Sequence, residues 1–414
     1  MSIAIAYRGI RVIDPAQGMD LVTDARICAD EPTILGEAAL SDSSIEVRDG
    51  KGLWLTPAFV DLCARLREPG PKKHGTIASE TRAARAGGFG HVVMPPDTNP
   101  VIDHGALAAQ VIEKAHAAGF AKVYPLGAMT RGLEGSALAG MGGLKAAGCV
   151  GVSQARNPLA STETLLRCLE YASSMDMTVF FSLEEPSLAK GSAHDGFMAS
   201  RMGLTGIPDT AETVALATAI LLVEQTGVRA HIGQLSCAAS VELIRNAKAR
   251  GLPVTADVSM HQLHLTEMAI DGFNAMAHVR PPLRRESDRL ALIAGVRDGV
   301  IDAICSDHQP LNASAKLAPF AEALPGMSTL ETVLPLGLRL VTNGDLTEQR
   351  LIEALTSAPA GVIAQPIGSL SLASGAVVID PLLSWQACDA NWQSVGRNSL
   401  FAGQTLSGRV IESV

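Results

Sequence analysis

The run "DLCARLREPG" (61–70) carries side chains spaced for chemistry. Asp61, Cys63, Arg65 and Arg67 alternate, and alternate residues of an extended chain point to one side. This reading puts a carboxylate, a thiol and two guanidiniums on one face. The run follows "LWLTPAFV", an apolar stretch that reads as a buried strand closing on Asp61. Histidines at 63 and 65 would make a ready pair of metal ligands; a thiol and a permanent cation stand there instead. Other groups able to bind metal or move protons are His74, Glu184, Glu185, His231, His261, Asp307 and His308. Cys63 is a buried inert thiol unless a base adjoins it. His231 and His261, flanked by apolar residues, are core histidines with satisfied hydrogen bonds. Glu184 and Glu185 are hydrogen-bonded or surface acids.

The elements that must position these groups follow from the hydrophobic pattern. Residues 1–56 read as short strands with turns. From residue 57, apolar strands alternate with Ala-rich helices: "HVVMPP", "KVYPLGAM", "GCVGVSQ", "TVFFSLEE", "RAHIGQLS", "PVTADVSMHQL" and "AICSDHQP" each follow a helical stretch. With the opening strand this predicts eight strands and a (β/α)8 barrel over 57–365, reactive groups lying at the strand ends. Residues 366–414 return to strands. The two ends are expected to pack together as one small β-sandwich.

The 414 residues are 47% hydrophobic and 18% charged, with a net charge of -9, which suits a globular chain with a large core. No basic block interrupts the negative balance, so nucleic-acid binding is not expected. The seven cysteines are scattered and form no C-x-x-C pair, as in a reducing compartment. The first residues lack a basic segment before a long apolar one, so the expectation is a cytoplasmic protein with neither signal peptide nor membrane span. "GAMTRGLEGSALAGMGG" is Gly-rich, but its spacing matches no phosphate-binding loop.

Long motifs in order, "TPAFVDLCARLREPG", "AGGFGHVVMPPDTNP", "HIGQLSCAASVELIRNAKARGLPVTADVSMHQLHLTE", "PPLRRESD" and "SDHQP", resemble dihydroorotase of the amidohydrolase superfamily over nearly the whole chain. The resemblance implies a barrel in which a zinc-bound hydroxide opens or closes a dihydropyrimidine ring. It also implies specific departures. Cys63 and Arg65 stand at the family's His-x-His. Ser182 and Gln234 stand at further metal-binding histidines, and Gln154 and Ala155 where an acidic ligand is expected. Asp307 remains, at the position that binds metal and acts as base in the family. Arg67 remains where the family clamps the substrate carboxylate. Asp97 and Arg280 replace asparagines, Leu311 replaces a histidine, and Asp97 is expected to repel a carboxylate. With His261, these residues make up the expected vestigial pocket.

No zinc is therefore expected. The resemblance points to the inactive dihydroorotase-like subunits that assemble with aspartate transcarbamoylase catalytic chains, a homo-oligomer being expected within such a complex. Two alternatives stay open. One is a rebuilt amidohydrolase with a single metal on Asp307, His308, His261 and Glu184. The other is a small-anion sensor using Arg67 and Arg280. Because the last barrel strand neighbours the first, Arg65 is expected to reach Asp307 with a bidentate bond, or else to point into solvent.

Overall fold

The structure, a computed structural model, describes residues 4–28 and 31–414. Its centre is an eight-stranded sheet of parallel strands. In chain order these are Phe59–Asp61, Phe89–Met94, Lys122–Ala128, Gly151–Ser153, Thr178–Ser182, Ala230–Gly233, Val254–Ser259 and Ala303–Cys305. Every strand pairs with the next, and helices alternate with them outside, which is the expected (β/α)8 barrel. Helix ends carry local signals. Thr76 and Ser79 form a capping box on Ile77–Ala86, Ser161 caps Thr162–Ser174, and Gly227 ends Thr210–Thr226 in the left-handed conformation.

The barrel interior is packed. Val60, Leu62, Val93, Tyr124, Leu126 and Phe180 fill it, and the short helix Ser357–Val362 adds Ala360 and Val362 to the same cluster. Gly151 makes room for Phe180: a Cβ there would lie 2.6 Å from the Phe180 ring and from the Thr178 carbonyl oxygen.

Both chain ends enter one seven-stranded sheet. Trp54–Pro57, which leads directly into the first barrel strand, pairs antiparallel with Ala376–Gln386, so Thr56 lies opposite Val377. Ile5–Asp14 sits beside it, then Met19–Cys28 and Glu31–Leu35, while Thr405–Ser413 forms the far edge and Glu46–Asp49 pairs with Ile5–Asp14. This strand-rich unit has its own apolar cluster, including Tyr7, Ile10, Val12, Ile27, Leu55 and Val378. Among the described residues, no helix is long and apolar enough to cross a membrane.

The first and eighth strands approach each other without a regular ladder. Two backbone bonds join the segments just beyond them: Arg65 N–H to the His308 carbonyl at 2.9 Å, and His308 N–H to the Cys63 carbonyl at 3.3 Å. The Ser306 hydroxyl also reaches the Cys63 carbonyl at 3.3 Å, and the Asp61 carboxylate adds to these bonds. It accepts from the Ser306 N–H at 2.8 Å, from the Ser306 hydroxyl, and from the Cys63 N–H at 3.3 Å. Full burial pushes the Asp61 carboxyl up to about 6, against the pull of these bonds.

Asp61→Ala would orphan three buried donors at this seam, and a stability loss of roughly 3–5 kcal/mol is expected by chemical denaturation. Because the folded-state pKa is raised, this carboxyl's stabilising contribution is complete below its unfolded value and declines as pH rises to about 6. Asp61→Asn is therefore expected to flatten the stability profile between about pH 4 and 6. An unchanged profile would refute the assignment.

Candidate functional site

The C-terminal ends of the barrel strands gather most of the residues singled out above. The ladder of the first strand ends at Asp61, so the expected alternation does not run on to Arg67. Asp61 turns to the strand seam. Arg67 has φ +63 and donates from Nε to the Pro310 carbonyl at 3.0 Å. Cys63 and Arg65 alone face the barrel mouth together with Asp307.

Arg65 is the centre of that group. It is buried, and its Nε donates to Asp97 Oδ2 at 2.8 Å. Its Nη1 lies 3.5 Å from Asp307 Oδ1 and 3.9 Å from the Cys63 sulfur. The expected bidentate bond to Asp307 is thus replaced by a bridge: a tight bond to Asp97 and a longer contact to Asp307. The reason is reach, since the guanidinium lies between two carboxylates and its best-directed donor takes the nearer one. Asp97 is not a free repulsive charge, because Arg65 neutralises it. Burial opposes ionisation there, but the charge and hydrogen bond of Arg65 outweigh it and hold the carboxyl below its usual range. Desolvation, reinforced by Asp307, pushes the Cys63 thiol well up, so it is a poor nucleophile and a poor metal ligand.

The remaining positions are tied down by protein groups. Gln154 accepts from the Thr130 hydroxyl and donates to the Leu133 carbonyl, both at 3.0 Å. Ser182 donates to Gln234 Oε1 at 3.2 Å, and Arg156 to the same oxygen at 3.3 Å. Arg280 grips Glu184 with Nε at 2.8 and 2.9 Å from the two oxygens. Leu311 is buried, and its N–H donates to Asn398. His231 is a satisfied core histidine, bonded to Thr255 at 2.9 Å and Asp257 at 3.0 Å. His261 departs from that expectation. It sits in a 3-10 turn past the seventh strand, with Nε2 3.2 Å from the Ser259 hydroxyl and a buried Nδ1 that finds no partner among the described residues.

Neither alternative ligand set assembles. His308 points away from Asp307, with Nε2 at 2.9 Å from Glu80 and Nδ1 accepting from the Thr329 N–H. Glu184 is held by Arg280, so Asp307, His308, His261 and Glu184 do not share one centre. That pairing also removes Arg280 as a free partner of Arg67 for an anion. Among the described residues, no three His, Cys, Asp or Glu side chains converge as a metal site requires. The donor chemistry at the family's zinc positions does not fit the ion either: an alcohol, an amide, a methyl group, a thiol held protonated and a guanidinium.

The mouth is also nearly filled. Between Cys63, Ser153, Phe180, Ser182, Gln234 and Asp257 about 10 Å³ remains, room for no more than about one water. A small cleft of about 140 Å³ lies beside Arg67, His74 and Asp97. Burial, with Arg65 adding to it, pushes the Arg67 guanidinium down to about 10. A wider cleft of about 470 Å³ opens sideways between the loops after the fourth and fifth strands, past Gln154 and Glu184. The mouth's backbone keeps an unusual shape. Arg67, Ala155, Gln234 and Asp307 all have positive φ, between +45 and +63.

Sequence reasoning missed three groups. Asp257 accepts from the Gln234 N–H at 2.6 Å and from the Cys305 thiol at 3.3 Å while holding His231. Arg156 steadies Gln234, and Glu80 anchors His308. Only the Asp in the strand pattern "VTADVS" carried a signal, as a charge at an inward position.

Comparison with known proteins agrees with this architecture. A family model described as dihydro-orotase-like matches residues 52–240. A dihydroorotase-like protein of Pseudomonas aeruginosa is 47% identical over 409 residues, covering 98% of this chain and 96% of that one. A protein named dihydroorotase from Anaeromyxobacter dehalogenans is 42% identical over 419 residues, covering 100% and 97%. Among solved structures, the L-hydantoinase (dihydropyrimidinase) from Arthrobacter aurescens superposes with a TM-score of 0.88 at 19% identity, covering 100% of this chain and 95% of that one, a likeness of fold.

Arg65→Met would remove the cation that bridges Asp97 and Asp307, and a loss of roughly 3–5 kcal/mol is expected. Asp307→Asn in that background should recover part of it. A double-mutant cycle of Arg65→Met with Asp97→Asn should give a coupling of about 1–3 kcal/mol, larger than the cycle with Asp307→Asn. Additive losses in both cycles would exclude the bridge.

Proposed function

This chain belongs to the dihydroorotase-like family, and from that premise we propose that it is a non-catalytic member acting as an assembly subunit for aspartate transcarbamoylase catalytic chains in pyrimidine biosynthesis. The observation that carries the first half is the place of Arg65. Zinc chemistry supplies a hydroxide at neutral pH by lowering the pKa of a bound water, and it needs three or four donors around the ion. Here a guanidinium lies 3.5 Å from Asp307, the one family metal position still filled by a carboxylate. A fixed cation there opposes a dication by direct repulsion. The floor between Cys63, Gln234 and Asp257 leaves room for no more than about one water, so a substrate would have to lie in the clefts beside it rather than over Asp307.

The second half rests on the resemblance and on what the fold retains. A chain that keeps its barrel and sheet while its mouth is closed by internal pairs has its outer surface as the feature left to act. Partner recognition would then be independent of Arg67 and the mouth. The protein would work without a metal cofactor in the cytoplasm, as a homo-oligomer within the complex. The competing reading, a metal-dependent cyclic amidohydrolase, is favoured by relatives named dihydroorotase. It requires donors that the strand ends of this chain do not bring together.

Purified protein with added zinc is expected to show no dihydroorotase turnover above buffer, and Cys63→His with Arg65→His is expected not to restore it. A zinc-dependent rate abolished by Asp307→Ala would overturn the non-catalytic reading. Pull-down from the native extract should bring a transcarbamoylase chain identified by mass, equally with wild type and Arg67→Ala. Recovery of this chain alone would overturn the assembly reading.

A further inference from the structure

The segment Trp392–Asn398 forms an irregular strap, bent at Ser394 and Val395, that is bonded both to the chain after the eighth strand and to Glu80 of the helix after the first. Trp392, Ser394, Gly396 and Asn398 face inward and are buried, while Gln393, Val395 and Arg397 face out. The strap is bonded to the chain after the last barrel strand. Asn398 accepts from the Leu311 N–H at 2.8 Å and donates to the Gln309 and Gly326 carbonyls at 3.0 Å. The Ser328 N–H donates to the Asn398 carbonyl at 2.9 Å. Gly396 packs so closely on Pro310 that a Cβ would lie 2.6 Å from it. Pro310 is also the residue whose carbonyl holds Arg67.

At the strap's centre, Ser394 is shared by two buried glutamates. Its hydroxyl donates to Glu80 Oε2 at 2.5 Å, and its N–H donates to Glu331 Oε1 at 2.9 Å. The neighbouring amides follow suit: Gln393 N–H reaches both Glu331 oxygens at 2.9 Å, and Val395 N–H reaches Glu80 Oε1 at 3.2 Å. We infer that this serine-bridged glutamate pair is a protonation-operated clasp that fastens the strap when Glu331 is neutral and loosens it when Glu331 ionises.

The two carboxyls are not equivalent. Burial opposes ionisation of Glu80, but His308 at 2.9 Å, Ser394 and Ser79 outweigh it and hold Glu80 below its usual range, charged. Glu331 has backbone N–H donors and no direct cation. Burial, with the charge of Glu80 adding to it, pushes Glu331 up to about 7. The groups facing Glu331 are Glu80 from the helix Ile77–Ala86, Arg397 from the strap and Arg409 from the last strand; Leu334 and Pro335 are apolar. Neither arginine bonds Glu331 directly. Arg397 pairs with Asp389 at 3.0 Å and donates to the Ser394 carbonyl within the strap, and Arg409 stacks on Trp385; the charge of Arg397 pulls Glu331 down but is outweighed by burial. A cleft of about 50 Å³ between Gln393 and Arg409 gives protons a route to Glu331. With the folded pKa raised, the clasp's stabilising contribution is complete below the unfolded carboxyl value and is lost as pH rises through about 7. Loosening would free the Pro310–Leu311 turn, and with it the anchor of Arg67.

The test is amide hydrogen exchange on the full chain between pH 6 and 8.5, corrected for intrinsic rates. Protection of Ser394 and Val395 should fall on the order of ten- to a hundredfold, with the fifth barrel strand unaffected. In Glu331→Gln the fall should vanish and the strap should stay protected at high pH. Constant protection in the wild type, a fall that persists in Glu331→Gln, or equal loss in the barrel strands would each overturn the clasp. If Glu331→Gln does not fold, wild-type fluorescence decides. A red shift above about pH 7 that is absent in Trp392→Phe supports strap release, and no such shift refutes it.

Discussion

A carboxylate buried at the mouth of a barrel must be given a counter-charge, and in this protein Arg65 gives it. Asp307 is only 2% exposed, and an isolated ion at that depth would cost several kcal/mol. A metal ion would answer that need with two charges and open coordination sites. Arg65 answers it with one charge, five fixed donors and no open site. The rest of the mouth follows. One carboxylate is not enough for a guanidinium removed from water, so Asp97 becomes its second and closer partner. The cation and its two acids occupy the space, Cys63 fits beneath them as a small protonated thiol, and Phe180 fills the barrel from below. The space over Asp307 is filled by charge balance as much as by bulk.

That closure has not relaxed the backbone around it. Positive φ at Arg67, Ala155, Gln234 and Asp307 is unfavourable for residues with a Cβ, on the order of 1–3 kcal/mol in the less tolerant cases. Such a conformation persists only where surrounding bonds impose it. Asp257 fixes the Gln234 N–H, Ser153 fixes the Ala155 N–H at 3.0 Å, and the Ser306 hydroxyl fixes the N–H of His308, next to Asp307. The framework beneath the strand ends therefore holds an uncommon backbone shape, while the side chains above it include amides, an alcohol and a methyl group. Framework and donors are separable: the first is a property of hydrogen bonds below the mouth, the second of single residues at it.

This separation explains what could be read from the chain. The eight βα units were legible because strand and helix periods differ and each unit repeats the contrast. The residues gathered at the strand ends were legible because the motifs that carry them occur in order along the chain. Even the meeting of Arg65 with Asp307 followed from topology, since a closed barrel brings its first and last strands together. What escaped was the choice among partners. Nothing in the local pattern joins Arg65 to Asp97, 32 residues on, or Asp61 to Ser306, 245 residues on. Such pairs are selected by ångström-scale reach after the chain has folded. The strap escaped for a different reason. Its inward positions carry Ser, Gly and Asn among Trp, so its strand-like alternation has no hydrophobic contrast to reveal it.

The weak line of the molecule lies at the same strand ends. Seven of the barrel's interfaces are parallel ladders, but the eighth, between first and last strands, relies on two backbone bonds and a carboxylate. The strap, which runs between the two C-terminal strands of the sheet built from both chain ends, is bonded to the chain just after the eighth strand and to Glu80 of the helix after the first. Asp61 within the seam and Glu331 beneath the strap are both pushed up by burial, to about 6 and about 7. Both therefore lose stabilising contribution in the same direction, as pH rises. A seam held by neutral carboxyls is firm where they keep their protons and is strained where they do not. Arg65 lies just beyond this seam, so the bridge that fills the mouth depends for its geometry on the part of the barrel that hydrogen-bonded strands leave unfinished.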